Sequence, residues 1–364
     1  MNVETNSIVY LEIGSRIKEL ILAGDLKDKL PSERELAQEY NVNFKTVNKA
    51  VSALVSEGVL YRVRGIGAFV KKGVRENLSS SEKNIGLAVF NMKWLNSPFY
   101  SEVLAGIGEV VQRNGHNLQF LTTNKNPGES HRSLYCMDAW AQGKFDGMII
   151  AGEEVDDEDI IKLNAKKYPF VLLGNYLAGK RLSSVCIDNY RGGYDAATHL
   201  LGLGHEKIAF IRGFDSKTDR ERIEGCRDAM RKKKLKLPAS YIKSGNYDEG
   251  KTYAAMKELL RMDARPTAVI ASDDVMAVSV MQAIRDEGLS IPDDISVIGF
   301  NDSVLASKVT PPLTTLRISM YDMGKAAIEM LEEKFREKTS APEKKLFTPE
   351  LIIRQSTAPR KEMI

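Results

Sequence analysis

The chain has 364 residues, 43% hydrophobic and 28% charged, as in a soluble globular protein of two or three domains. Lys+Arg 52 against Asp+Glu 49 leaves only +3, so neither a histone-like chain nor an acidic disordered one fits. No apolar run reaches the roughly 18 residues that span a membrane, and residues 1–12 lack the basic-then-apolar pattern of a secretory signal, so a cytoplasmic protein without membrane partners is expected.

The first 75 residues hold twelve Lys and Arg against nine Asp and Glu, so their excess equals that of the whole chain, and it clusters after residue 60. Tyr10, Ile13, Ile17, Leu20 and Ile21 form one apolar stripe of a first helix, which Gly24 can stop. In Leu30-Pro31-Ser32-Glu33-Arg34-Glu35-Leu36-Ala37, Ser32 and Glu35 make a capping box for a short second helix. A third helix has Val47, Ala50, Val51, Leu54 and Val55 inward and Phe44, Lys45, Asn48, Lys49 and Ser52 on its other face. Gly58 ends it. Residues 60–71 then read as two short strands around a glycine turn. Three helices and a basic hairpin predict a winged helix-turn-helix, whose third helix can enter a major groove. Lys45, Asn48 and Lys49 can donate to bases or phosphates. Arg62 and Arg64 share one face of the hairpin, and Gly65 and Gly67 let its tip approach a sugar-phosphate backbone. Taken alone, Lys45 and Lys49 could equally be a solvated helix face.

This ordered set, from Leu30-Pro31-Ser32-Glu33-Arg34-Glu35-Leu36-Ala37 through Thr46-Val47 and Leu54-Val55-Ser56-Glu57-Gly58 to Arg64-Gly65-Ile66-Gly67-Ala68-Phe69-Val70, resembles the GntR family of bacterial transcription regulators. The resemblance implies that Arg34, the start of the third helix (Phe44, Lys45, Thr46, Asn48, Lys49) and the wing (Arg62, Arg64, Gly65, Gly67) touch DNA. Many members carry Ser-Arg at the start of that helix and Arg four residues on. Those positions are Phe44 and Asn48 here, which implies weaker phosphate clamping and an operator different from that of the arginine-bearing members.

Residues 72–84 are polar, with a serine run and no periodicity, as in an interdomain linker. Beyond them apolar strand runs alternate with helical stretches: 85–90, 118–121, 147–151, 170–174, then 185–187, 208–211, 268–271 and 295–300. This alternation predicts parallel sheets covered on both faces, in two doubly wound lobes with a ligand cleft at the strand C-termini. Several stretches are more specific, among them Asp188-Asn189-Tyr190-Arg191-Gly192-Gly193, Arg222-Ile223-Glu224-Gly225, Ile291-Pro292-Asp293-Asp294-Ile295 and Pro311-Pro312-Leu313-Thr314-Thr315. They resemble the LacI/GalR effector domain, which has the type I periplasmic-binding-protein-like fold. The likeness runs from about 85 to 358. A GntR reader ahead of this domain is the arrangement of the AraR-like repressors. The implied division is a reader at 1–71, a linker at 72–84 and an effector-binding and dimerisation domain at 85–364. Its first lobe would be 85–174 plus 318–345, and its second 175–316 plus 346–358.

Arg222, Asp273 and Asn301 each follow a parallel strand on the cleft rim, and in the family these positions bind the effector. Phe99, Tyr100 and Tyr247 match its aromatic positions, and the family often has Asp where Asn301 stands. Each has a plain structural reading too: Arg222 could pair with Asp219 or Glu221, Asp273 could cap a helix, and Asn301 could be a turn residue. Asp188 and Asp302 read as loop-fixing residues. Cys136, Cys186 and Cys226 show neither zinc spacing nor a disulfide framework and are expected to be small buried residues. His116, His131, His199 and His205 show no paired metal spacing, and no phosphate loop or nucleophile elbow occurs, so neither enzyme, cofactor nor metal is expected. The resemblance implies a homodimer that binds operator DNA and is released by a monosaccharide, L-arabinose or a relative. The alternatives are a purine or amino-acid effector, or activation by sugar.

Overall fold

The computed structural model describes residues 5–63, 65–72, 74, 82–89, 95, 97–122, 144–152, 155, 157–336 and 341–360. Arg64, Cys136, His131 and most of the expected linker lie outside them. The described chain divides into two compact units, one holding the residues up to Ile85 with Asn114–Gln119 and the other most of the remaining chain.

In the first unit three helices and a hairpin enclose one apolar core. Helix α1 (Thr5–Ala23) buries Ile13, Ile17 and Ile21, and Gly24 follows at φ 84°. Helix α2 (Glu33–Glu39) starts on the expected capping box: Ser32 Oγ accepts from Glu35 N at 3.2 Å, and Glu35 Oε2 accepts from Ser32 N at 2.7 Å. Helix α3 (Phe44–Ser56) is capped by Asn43, whose Oδ1 accepts from Lys45 N, and it buries Val47, Ala50, Val51 and Leu54. Strands β1 (Leu60–Val63) and β2 (Gly67–Val70) pair antiparallel.

The remaining strands form two six-stranded sheets. In chain order the elements are β3 (Asn84–Val89), α4 (Pro98–Arg113), β4 (Asn117–Thr122), β5 (Gly147–Ala151), α5 (Asp157–Ala165), β6 (Phe170–Leu173), β7 (Ser184–Ile187), α6 (Asn189–Gly202), β8 (Ile208–Arg212), α7 (Lys217–Lys232), β9 (Ile242–Ser244), α8 (Glu249–Leu260), β10 (Ala268–Ala271), α9 (Asp274–Asp286), β11 (Ser296–Asn301), α10 (Val304–Lys308), β12 (Thr314–Arg317), α11 (Met320–Arg336), β13 (Lys344–Phe347) and β14 (Glu350–Ile352). The first sheet has the order β13-β7-β6-β5-β3-β4 and the second β14-β12-β11-β10-β8-β9. Strands β5, β6, β7 and β10 are buried along their whole length, which is why they read as continuous apolar runs.

The lobe boundaries differ from those expected. The sequence division puts Ser184–Ile187 in the second lobe, yet this strand lies in the first sheet, parallel to both β6 and β13. The chain therefore passes between lobes after Ile187, after Arg317 and after Phe347, and β14 joins the second sheet antiparallel to β12. Residues 355–358 then staple the second lobe. Ser356 Oγ donates to Val297 O at 2.6 Å, and His205 Nε2 meets Ala358 O at 3.0 Å while its Nδ1 meets Thr267 Oγ1 at 3.0 Å.

Each lobe has one helix pair crossing at glycine. A Cβ on Gly106 of α4 would sit 2.0 Å from Tyr321 O of α11, and one on Gly324 of α11 would sit 2.1 Å from Val103 O. In the second lobe a Cβ on Gly193 of α6 would sit 1.9 Å from Arg222 O, and one on Gly225 of α7 would sit 2.1 Å from Tyr190 O. Backbone cannot yield as a flexible side chain can, so the helices would have to part. Gly106→Leu is expected to destabilise the protein by about 1–3 kcal/mol or more, read as a lower Tm. A Tm equal to wild type would refute the close crossing.

Candidate functional site

A cavity of about 490 Å³ opens between the lobes at the C-terminal ends of their strands. Arg222, Asp273, Asn301, Phe99, Tyr100 and Tyr247 all line it, so the structure brings the six sequence-expected residues to one place.

Arg222 lies on α7, whose N-terminus is capped by Ser216 through Asp219 N at 3.2 Å. It is 4% exposed. Its Nε donates to Asn189 Oδ1 at 2.9 Å and its Nη1 to Ser272 O at 2.7 Å, and the guanidinium lies 4.1 Å from the Phe300 ring centroid. It does not pair with Asp219 or Glu221: the first accepts from Ser272 Oγ and the second from Tyr176 OH. Arg222 Nη2 has no hydrogen-bond partner among the described residues, which leaves its donors for a ligand.

Asp273 does cap a helix. Its Oδ1 accepts from Met276 N at 2.7 Å at the start of α9. Burial pushes its carboxyl up to about 6, against the pull of the Met276 N–H and of Arg222. Its neighbour Asp274 is pushed up to about 7, again by burial, although Thr315 Oγ1 donates to it at 2.6 Å and Ser303 N at 2.7 Å. Asn301 ends β11 at φ 100°, and its amide makes no hydrogen bond to the described residues. The following Asp302 is locked by Arg317 Nε at 2.8 Å and Arg354 Nη2 at 2.6 Å, which fixes the turn that carries Asn301. Asp188 caps α6 by accepting from Arg191 N at 2.9 Å.

Aromatic rings close the cavity from both lobes. Phe99 and Tyr100, at the start of α4, meet edge to face at 5.3 Å. Tyr247 meets Phe214 at 5.3 Å and 70°, and its ring occupies the space that a Cβ on Gly213 would need. Sequence reasoning misses Phe214, although an aromatic residue just after the strand Ile208–Arg212 is a usable signal. Ser272 and Asn189, which hold Arg222, leave no local signal.

The candidate DNA surface lies on the first unit. Phe44, Lys45, Lys49, Arg34, Gly65 and Gly67 are exposed, whereas Thr46 is buried. Lys49 Nζ lies 4.0 Å from the Tyr10 ring centroid. Asn48 Nδ2 and Arg62 Nη2 both donate to Glu33, each at 2.7 Å. Cys186 and Cys226 are buried free thiols, and burial pushes Cys226 up to about 12, so neither is a ready nucleophile. No helix among the described residues is long and apolar enough to cross a membrane.

Comparison with known proteins assigns families to two parts of the chain. Residues 9–70 match the family described as bacterial regulatory proteins, gntR family, and residues 197–357 match the periplasmic binding protein-like domain. The chain is 28% identical to the arabinose metabolism transcriptional repressor of Halalkalibacterium halodurans, over 97% of each chain. It is 34% identical to the HTH-type transcriptional regulator DegA of Bacillus subtilis, over 73% of this chain and 79% of that one. A LacI family transcriptional regulator from Enterococcus faecium, solved with bound ribose, superposes with a TM-score of 0.66 at 26% identity, covering 77% of this chain and 100% of that one.

The buried acid next to the cavity carries a pH signature. A carboxyl whose pKa is higher folded than unfolded costs stability once it ionises in the folded chain. For Asp274 that cost is absent below about 4, grows with pH and is complete above about 7. Asp274→Asn cannot ionise, so its Tm relative to wild type is expected to rise between pH 5 and pH 8. A difference that is flat or falls over that range would contradict the burial of a strained carboxyl there.

Proposed function

Because the chain belongs to the bacterial HTH-type transcriptional regulators that place a gntR-family DNA reader ahead of a LacI/GalR-like effector domain, we propose that it represses carbohydrate-utilisation genes and is released by a monosaccharide. The favoured effector is L-arabinose or a related pentose. One observation carries this reading: Arg222 Nη2, the carboxylate of Asp273 and the amide of Asn301, which has no partner among the described residues, converge in a cavity walled by Phe99, Tyr100, Phe214 and Tyr247. A sugar offers hydroxyls that both donate and accept, and C–H faces that rest on aromatic rings. Arg222 supplies donors, Asp273 an acceptor, and Asn301 one of each. Among the described lining residues Arg222 is the single cation and Asp273 an adjacent carboxylate, which favours a neutral ligand over a phosphate. The pentose preference draws on the arabinose repressor among the relatives and on the ribose-bound regulator among the similar structures.

On this reading residues 1–71 read DNA, 72–84 tether the reader and 85–364 bind the effector and dimerise, and the protein works in the cytoplasm. Two copies present two recognition helices to a near-palindromic operator. Arg34, Lys45, Asn48 and Lys49, with Arg62, Arg64 and the glycine tip of the wing, form the contact surface, and Phe44 stands at its leading edge. Ligand held between lobes joined by three crossing segments favours a closed arrangement, to the extent that it binds that arrangement better.

A thermal-shift panel of sugars, nucleobases and amino acids tests the effector. A pentose is expected to raise Tm. Arg222→Ala should lower the ligand-free Tm, because the same guanidinium braces Asn189 and Ser272, and should abolish the pentose-dependent rise while the folded protein keeps operator affinity; Lys45→Ala with Asn48→Ala should weaken operator binding by about 1–3 kcal/mol for any base-contacting member. A panel in which a nucleobase stabilises the protein and no sugar does would remove the sugar reading. Full sugar response in Arg222→Ala would remove Arg222 from the site.

A further inference from the structure

A carboxylate stands in the middle of the proposed DNA surface. Glu33 opens α2, is half-buried, and accepts from two donors: Asn48 Nδ2 at Oε2 and Arg62 Nη2 at Oε1, each at 2.7 Å. Arg62 Nη2 also reaches Asn48 O at 3.4 Å. Three elements thus meet at one acid: α2, the helix α3 and the wing strand β1. A negative charge on such a surface repels phosphate, and a partly exposed Glu–Arg pair adds little stability.

Its consequence for Asn48 is more definite. An ionised carboxylate only accepts, so the Asn48 amide has to turn its NH₂ toward Glu33. One Nδ2 hydrogen is taken. Oδ1 and the second Nδ2 hydrogen remain, an acceptor and a donor on one planar group, and this pair matches N6–H and N7 of adenine in the major groove. Without Glu33 the amide could rotate by half a turn and offer the reverse order. We propose that Glu33 is a specificity-determining positioning residue, which holds Asn48 Nδ2 and so sets that amide to read one adenine in each operator half-site. Arg62 keeps Nε and Nη1 for the backbone beside it. The proposal rests on the reading that α3 enters the major groove.

The test uses the full-length protein and a duplex library with a randomised core. Wild type is expected to enrich a site with a strict adenine in each half. Affinities are then measured for that site, for its three single-base changes at the adenine, and for an unrelated duplex. Glu33→Ala is expected to lower the preference for adenine about tenfold, within the range of one bidentate base contact, while affinity for the unrelated duplex is unchanged or higher. In an Asn48→Ala background, Glu33→Ala should change the preference no further. Should Glu33→Ala fail to fold, Glu33→Met decides, since it keeps the length but has no accepting oxygen for Asn48 Nδ2: a reduced adenine preference supports the proposal and a wild-type preference overturns it. A wild type that enriches no sequence would overturn the DNA reading and this proposal with it. A wild-type site whose base preferences all survive Glu33→Ala would overturn the proposal alone.

Discussion

The effector domain turns on a single buried guanidinium. Removing a charge from water is costly unless hydrogen bonds replace its hydration. Arg222 meets that condition with partners from three places: the Asn189 side chain on α6, the Ser272 carbonyl beyond β10, and the face of Phe300 on β11. Each of those elements is thereby held to α7. Gly193 belongs to the same arrangement, because only a residue without a side chain lets α6 lie against the Arg222 carbonyl. Arg222 commits Nε and Nη1 to the scaffold, and in the proposed site Nη2 serves the cavity, so one side chain would carry both tasks.

The acids beside it follow from this choice. Asp273 and Asp274 sit at the start of α9, next to the carbonyl that holds Arg222, and burial raises both. Helix-capping N–H groups and hydroxyl donors hold them in place. The result is a site with fixed donors and acceptors and little net charge, walled by rings from both lobes. The proposed function uses that site to orient a polyhydroxylated ligand.

Much of this is legible in the sequence because its signals are local. The Ser32–Glu35 capping box, the glycine stops at Gly24 and Gly58 and the apolar stripe of α3 are set within a few residues of one another, and the structure has each of them. Asp273 comes just after β10 and Asn301 closes β11, whereas Arg222, well inside α7, stands out through the resemblance to the LacI/GalR effector domain. The misplaced strand shows the limit. Ser184–Ile187 is an apolar run whichever sheet receives it, and its neighbour β13 is a polar edge strand some 160 residues away in sequence. The partners of Arg222 are equally non-local, at separations of 33 and 50 residues. Thr46 joins the DNA surface by resemblance alone, although helical spacing sets it one turn before buried Ala50. The tie between Glu33 and Asn48 spans 15 residues across a turn, and no periodicity announces it.

The proposed repressor couples sugar in the Arg222 cavity to operator on the reader through one chain. Binding linkage makes that coupling symmetric: whatever factor the sugar takes from operator affinity, the operator must take from sugar affinity. Calorimetric titration of the favoured pentose, with and without saturating operator duplex, measures it most directly. Sugar affinity is expected to be lower by about 5–150-fold on the operator-bound protein, matched by an equal loss of operator affinity at saturating sugar. Sugar affinity that is identical with and without operator would contradict it.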